Sequence, residues 1–246
     1  MTEHRVALVT GGSRGLGAQI VRELARSGYD VAFTFVQGAE AAAGIAREVE
    51  GLGRRAKAYR ANAGDFAKAH EITRAVVDDF GHVDALVCNA GLVRRKPLWE
   101  LTEADWDDVV DVDLKGTFNY IHAIAPVYMQ QRHGKIVSIG SINGLRAQRD
   151  IASYNAAKAG LTGLIKGAAL ELGEFNVNVN IVAPGFIETP SQVNRAPGFR
   201  EGVLQQCAIK RLGTPEDIAP LVVFLCSEAA RHVTGQVIKV DAGQYI

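Results

Sequence analysis

The sequence carries no surplus of either charge, with 27 lysines and arginines against 27 aspartates and glutamates. No global field therefore argues for nucleic acid or a membrane surface as a partner. Long apolar runs are missing as well. APLVVFLC at 219–226 is among the longest, far short of the ~20 residues that span a bilayer. The opening MTEHRVALVT places charges before a short apolar run, unlike a secretory leader. Cysteine is scarce: Cys88, Cys207 and Cys226 are odd in number and scattered without disulfide or metal-ligand spacing. Neither a Pro/Ser-rich linker nor an internal repeat breaks the chain. The expectation is a reduced, cytoplasmic protein with one domain over residues 1–246 and no metal.

Within 246 residues, 48% hydrophobic and 22% charged, seven β-rich runs recur. They are VALV (6–9), VAFTFV (31–36), AKAYR (56–60), DALVC (84–88), KIVSI (135–139), VNVNIV (177–182) and QVIKV (236–240). Helical periodicity fills the gaps, as with Leu16, Ile20, Val21 and Leu24, or Ile72, Val76 and Phe80. Thr102 with Asp105, and Thr214–Pro215–Glu216–Asp217, sign helix starts. Strands alternating with helices predict an α/β fold, a doubly wound parallel sheet of seven strands covered on both faces.

TGGSRGLG at 10–17 follows the first run and opens the first helix. Gly11, Gly15 and Gly17, with Ser13, Arg14 and Leu16 between them, offer a tight turn, close backbone approach to a pyrophosphate and a helix N-terminus for the anion. A plain strand-to-helix turn uses glycines too, but this placement favours a nucleotide. An NAD site would show an acid about 20 residues on, at the end of the second strand. Phe35, Val36, Gln37 and Gly38 stand there, and Asp30 lies at the strand's other end. Arg14 is either a solvated loop residue or the partner of a 2′-phosphate. NADPH is the expected cofactor.

Downstream, Tyr154 and Lys158 sit four apart in an alanine-rich helical stretch, hence on one face. A phenol, with an ordinary pKa of about 10, is a sluggish proton donor near neutrality. An ammonium beside it favours the phenolate and eases release of the proton.

These motifs together resemble the short-chain dehydrogenase/reductase family. TGGSRGLG resembles its TGxxxGxG loop, CNAG at 88–91 its NNAG strand end, and Ser141, Tyr154 and Lys158 its Ser…YxxxK set. APGFIET at 183–189 resembles its PG motif, and RLGTPEDIA with VTGQVIKVDAG resembles the C-terminal third of bacterial 3-oxoacyl-(acyl-carrier-protein) reductases. The resemblance implies that Tyr154 donates a proton to the substrate carbonyl, that Ser141 holds the carbonyl oxygen, and that Lys158 also holds the nicotinamide ribose. It implies cofactor contacts at Asn62, Ala63, Asn89, Ala90, Gly91, Pro184, Gly185, Ile187 and Thr189. Where the family carries a relay asparagine, this chain has Asp113. Either its main-chain carbonyl serves, or its side chain is ionised beside Lys158. The carbonyl is the expectation, because an acid aimed at the lysine opposes the tuning of Tyr154.

Residues 186–210 read as one long irregular stretch suited to a substrate lid. Arg94, Arg95, Lys96 and Arg132 either meet an acidic carrier protein or are scattered solvated charge, and Phe175 stands near where those reductases have a basic docking residue. The implied activity is NADPH-dependent reduction of a 3-oxoacyl or polyketide-like thioester, on a coenzyme A or carrier-protein arm. Alternatives are a dehydrogenase of a small free alcohol such as a sugar or steroid, and a non-catalytic NADP-binding regulator. Small residues from Ala156 to Ala169 along the Tyr154 helix, together with the resemblance, predict a homotetramer.

Overall fold

Seven short strands, the inner five rich in buried aliphatic residues, pair into one parallel sheet in a computed structural model that describes residues 4–189 and 197–246. The strands are β1 (Arg5–Val9), β2 (Tyr29–Phe35), β3 (Ala56–Arg60), β4 (Ala85–Cys88), β5 (Gly134–Ile139), β6 (Val177–Pro184) and β7 (Val237–Val240). Their order is β3-β2-β1-β4-β5-β6-β7, with every neighbouring pair parallel. The central strands carry no polar alternation because both of their faces are covered. In β1, Val6 and Leu8 enter one core while Ala7 and Val9 enter the other.

Helices α1 (Gly15–Arg26), α2 (Ala39–Gly51) and α8 (Pro215–Leu225) line one face; α3 (Phe66–Phe80), α5 (Gly116–Gln131) and α6 (Ala152–Leu172) line the other. The stripe Ile20, Val21 and Leu24 fastens α1 to the sheet, each residue fully buried. Burying such a side chain is worth about 1.5–3 kcal/mol, and Leu24→Ala would cost about 2–5 kcal/mol. Both expected capping boxes form, Thr102 with Asp105 at α4 (Glu103–Val110) and Thr214 with Asp217 at α8.

The chain reverses its lateral direction between β1 and β4, where a crevice opens at the C-terminal ends of the strands. Two features depart from expectation. Residues 186–210 are not uniformly irregular, because Phe199–Gln206 forms α7, anchored by buried Val203; residues 190–196 of that stretch lie outside the described residues. Between α4 and α5 the helix does not break but widens into a single π-turn, Asp111–Lys115, which contains Asp113. The three cysteines are free and buried, and burial pushes the Cys88 and Cys226 thiols up to about 12. Among the described residues no helix is long and apolar enough to cross a membrane.

Candidate active site

A cleft of about 1460 Å³ runs along the C-terminal edge of the sheet, and all the site residues expected from the sequence line it. One end is the glycine loop. Gly11 and Gly15 adopt positive φ, 69° and 54°, which only glycine enters without strain. Gly17 is there for space: a Cβ would lie 2.1 Å from the Gly11 carbonyl oxygen and 2.5 Å from Asn89 Nδ2. Thr10 and Asn89 lock this geometry. Thr10 Oγ1 accepts the Asn89 and Ala90 amides at 2.9 and 3.0 Å, and Asn89 Nδ2 donates to the Thr10 and Gly11 carbonyls at 3.0 and 3.1 Å. Asn89 therefore shapes the loop rather than standing free for a ligand. Thr10 was legible as the first residue of the motif, though only its hydrogen bonds reveal its part.

Ser13 is buried, while Arg14 is exposed at the extended N-cap of α1 with no side-chain capping bond. Among the described residues it has no carboxylate within ion-pair distance. The β2 end contributes Phe35, Val36 and Gln37 to the cleft and no acid; Asp30 is buried at the far end, accepting the Arg55 amide at 2.9 Å. Asn62 Oδ1 accepts the Gly64 amide at 3.1 Å, and the Ala63 carbonyl accepts from Asn119 Nδ2 at 2.9 Å. These bonds fix the strand end that flanks the loop. Across the cleft, Gly185 donates to the Val240 carbonyl at 3.0 Å, Ile187 bridges Gly213, and Thr189 faces Gly15. These features fit a dinucleotide: a glycine cradle that side chains would fill, a helix N-terminus and a guanidinium without a partner.

At the other end stand Ser141, Tyr154 and Lys158. Ser141 follows β5 and accepts the Asn143 amide on Oγ at 3.1 Å, which turns the chain sharply. Gly144 then packs against α6, where a Cβ would lie 2.5 Å from the Lys158 carbonyl oxygen. That close contact sets the serine turn against the helix bearing Tyr154. Tyr154 is half-buried and its ring centre lies 5.5 Å from Lys158 Nζ.

Lys158 is buried and donates to the Ile139 carbonyl at 3.0 Å. Its second partner is Asp113, whose Oδ1 lies 3.0 Å away and whose side chain is wholly buried. Asp113 Oδ2 accepts the Leu92 amide at 2.8 Å, and a Cβ on Gly91 would lie 2.8 Å from Oδ1. This corrects the expectation that the Asp113 carbonyl is the working group: the carboxylate itself meets the lysine. The main-chain oxygen instead receives a long 3.4 Å contact from Thr117 Oγ1. Burial pushes the Asp113 carboxyl up against the opposing pull of Lys158. Burial is the strongest single influence on the Lys158 ammonium and pushes it down, but the neighbouring Asp113 and Tyr154 charges together outweigh it and the net direction is up. A wholly buried carboxyl thus faces a buried ammonium, each drawing the other toward its charged form while burial opposes both.

A family model described as enoyl-(acyl carrier protein) reductase matches residues 11–244. The 3-oxoacyl-(acyl-carrier-protein) reductase FabG of Staphylococcus epidermidis is 40% identical over 99% of this chain and 100% of its own length. The protein of that name from Escherichia coli is 37% identical over 99% of this chain and 98% of its own. Among solved structures, acetoin dehydrogenase YohF from Salmonella typhimurium superposes with a TM-score of 0.89 at 32% identity, covering 98% of this chain and 95% of that one.

Proposed function

We propose that this chain, which belongs to the short-chain dehydrogenase/reductase family, is an NADPH-dependent ketoreductase of 3-oxoacyl thioesters. The observation that carries the reading is one cleft joining a dinucleotide cradle to Ser141, Tyr154 and a fixed Lys158. The full-length similarity to curated 3-oxoacyl-(acyl-carrier-protein) reductases supports the substrate class.

When bound, the reduced nicotinamide supplies a hydride. Gly11, Gly15 and Gly17 let the backbone approach the pyrophosphate, and Arg14 pairs with the 2′-phosphate. Ser141 donates a hydrogen bond to the carbonyl oxygen and holds it beside Tyr154. As negative charge develops there, the phenol passes its proton to that oxygen. Lys158 stabilises the resulting phenolate. One of its three N–H groups is directed to Ile139, and Asp113 Oδ1 lies 3.0 Å from the same nitrogen, which leaves donor capacity for the cofactor ribose. The outward face of α6, with Ala156, Ala159 and Gly163 exposed and Leu170 85% exposed, suits close helix packing in a homotetramer.

The test is NADPH oxidation with acetoacetyl thioesters against a panel of sugars and steroids. Turnover of the thioester that disappears in Tyr154→Phe, with cofactor binding retained, is the expected result. Preferential turnover of a free alcohol, or a Tyr154→Phe enzyme of near-normal kcat, would refute it.

A further inference from the structure

The cleft is lined by five cationic side chains, Arg14, Arg94, Arg95, Arg146 and Lys158, against two carboxylates, Asp108 and Asp113. Both acids are engaged: Asp108 pairs with Arg94 at 2.7 Å and Asp113 with Lys158 at 3.0 Å. Arg14 lies at the cofactor end. Arg95 and Arg146 remain, both on segments that flank the reacting end.

Arg146 stands five residues beyond Ser141 and is half-buried. Among the described residues its guanidinium touches only neutral acceptors, Gln206 Oε1 at 3.3 Å and the Gln244 carbonyl at 3.5 Å, with the Tyr245 ring centre 5.9 Å away. Its Nε is buried without a hydrogen-bond partner. A partly buried permanent cation held only by neutral acceptors keeps its attraction for an anion. Arg95 is exposed and borders the same end of the cleft, close enough to feel Tyr154 and Asp150. Among the described residues neither arginine has a carboxylate within 4.0 Å. The intervening sequence at 190–196, PSQVNRA, contains no acid to supply one.

We infer that Arg95 and Arg146 form a subsite for an oxyanion carried by the substrate itself, beside the carbonyl that Tyr154 protonates; this rests on the reductase reading above. Guanidinium forks match the oxygens of a carboxylate or phosphate. Two parts of a thioester substrate can present that group: a carboxylate at the far end of the acyl chain, or the phosphate of a pantetheine arm.

The experiment compares kcat/KM for N-acetylcysteamine thioesters of 3-oxoadipate with the ω-carboxylate free and methylated, and for acetoacetyl thioesters of coenzyme A and N-acetylcysteamine. Either anionic member should exceed its neutral partner about tenfold or more, as a charge-assisted hydrogen bond implies, and the pair that shows it identifies the source. The preference should collapse in Arg146→Met and Arg95→Met, persist in part in Arg146→Lys, and weaken with added salt. Equal rates within both pairs in the wild type overturn the subsite while leaving the reductase reading intact. Turnover of no thioester by the wild type overturns both.

Discussion

Replacing Asp113 with asparagine removes a buried charge and keeps a side-chain oxygen for Lys158. The carboxylate lies 3.0 Å beyond an ammonium that is 5.5 Å from the Tyr154 ring centre, so it is within about 8.5 Å of that ring. At an effective dielectric of ~20, a unit charge at that distance opposes a phenolate by about 2 kcal/mol, and at the water limit by about 0.5 kcal/mol. Its removal should therefore move the alkaline limb of the reductive kcat/KM profile down by about 0.4–1.4 pH units. The attraction within the pair is larger, about 5.5 kcal/mol at 3.0 Å and the same dielectric, so Lys158 loses support in the same step. The Ile139 carbonyl continues to accept its hydrogen bond and the new amide oxygen stays beside it, so the ammonium is expected to survive. Two measurements separate these effects. A pH–rate profile reads the limb, and the NADPH dissociation constant from pH 7 to 9 reads the lysine, because Lys158 is proposed to hold the ribose. A lowered limb with a flat dissociation constant is expected. A limb within about 0.2 unit of the wild type would refute the electrostatic argument.

Arg14→Ala should weaken NADPH about tenfold or more and leave NADH nearly unchanged, since only the 2′-phosphate loses a charge-assisted contact; tighter wild-type binding of NADH would refute the assignment. In Gly17→Ala the new methyl would lie 2.1 Å from the Gly11 carbonyl oxygen, so fluorescence titration should show loss of NADPH binding, and an unaltered dissociation constant would contradict the geometry. Asp217→Ala removes the capping box of α8 and should cost about 1 kcal/mol at pH 7, read from urea midpoints. Arg211 holds the Asp217 carboxyl down at about 2, below its ordinary 3.8. The stabilisation is thus present above 3.8 and lost as pH falls toward 2, so the two midpoints should converge over that interval.

The central strands were readable because a parallel sheet covered on both faces favours apolar runs such as VALV and ALVC, and each of the seven strands appears within two residues of its expected bounds. Both threonine-led helix starts carried their own chemistry, a hydroxyl and an acid three residues apart. The trio Ser141, Tyr154 and Lys158 was legible from spacing because a helix converts a four-residue interval into one face. What stayed hidden depends on contacts distant in sequence. Nothing in DWDDVVDVDLKGTF marks a π-turn, and the Asp113 carboxylate finds Lys158 only once α6 and the β4 end enclose it. Phe199–Gln206 was obscured by the glycines and prolines around it, and its one buried anchor, Val203, is too weak a pattern to read alone. Arg146 carries no signal in the sequence, and only the turn after Ser141 brings it to the cleft.

The widened turn at Asp111–Lys115 makes the long helical rod around it intolerant of a change in length. Each residue in an α-helix advances the phase by roughly 100°, so one extra residue lets the halves on either side point independently. Upstream, Val109 on α4 is buried; downstream, Tyr120, Ile124 and Tyr128 on α5 fill the core beneath the sheet. Deleting one residue from 111–115 would restore an ordinary turn and preserve the backbone ladder, yet it would rotate one half against the other. Either Val109 leaves its seat or Asp113 swings away from Lys158. A one-residue change at the exposed pair 197–198 before α7 meets no such phase constraint. Indels in descendants of this chain should therefore gather near residue 198 and avoid 111–115, although both segments border the same cleft.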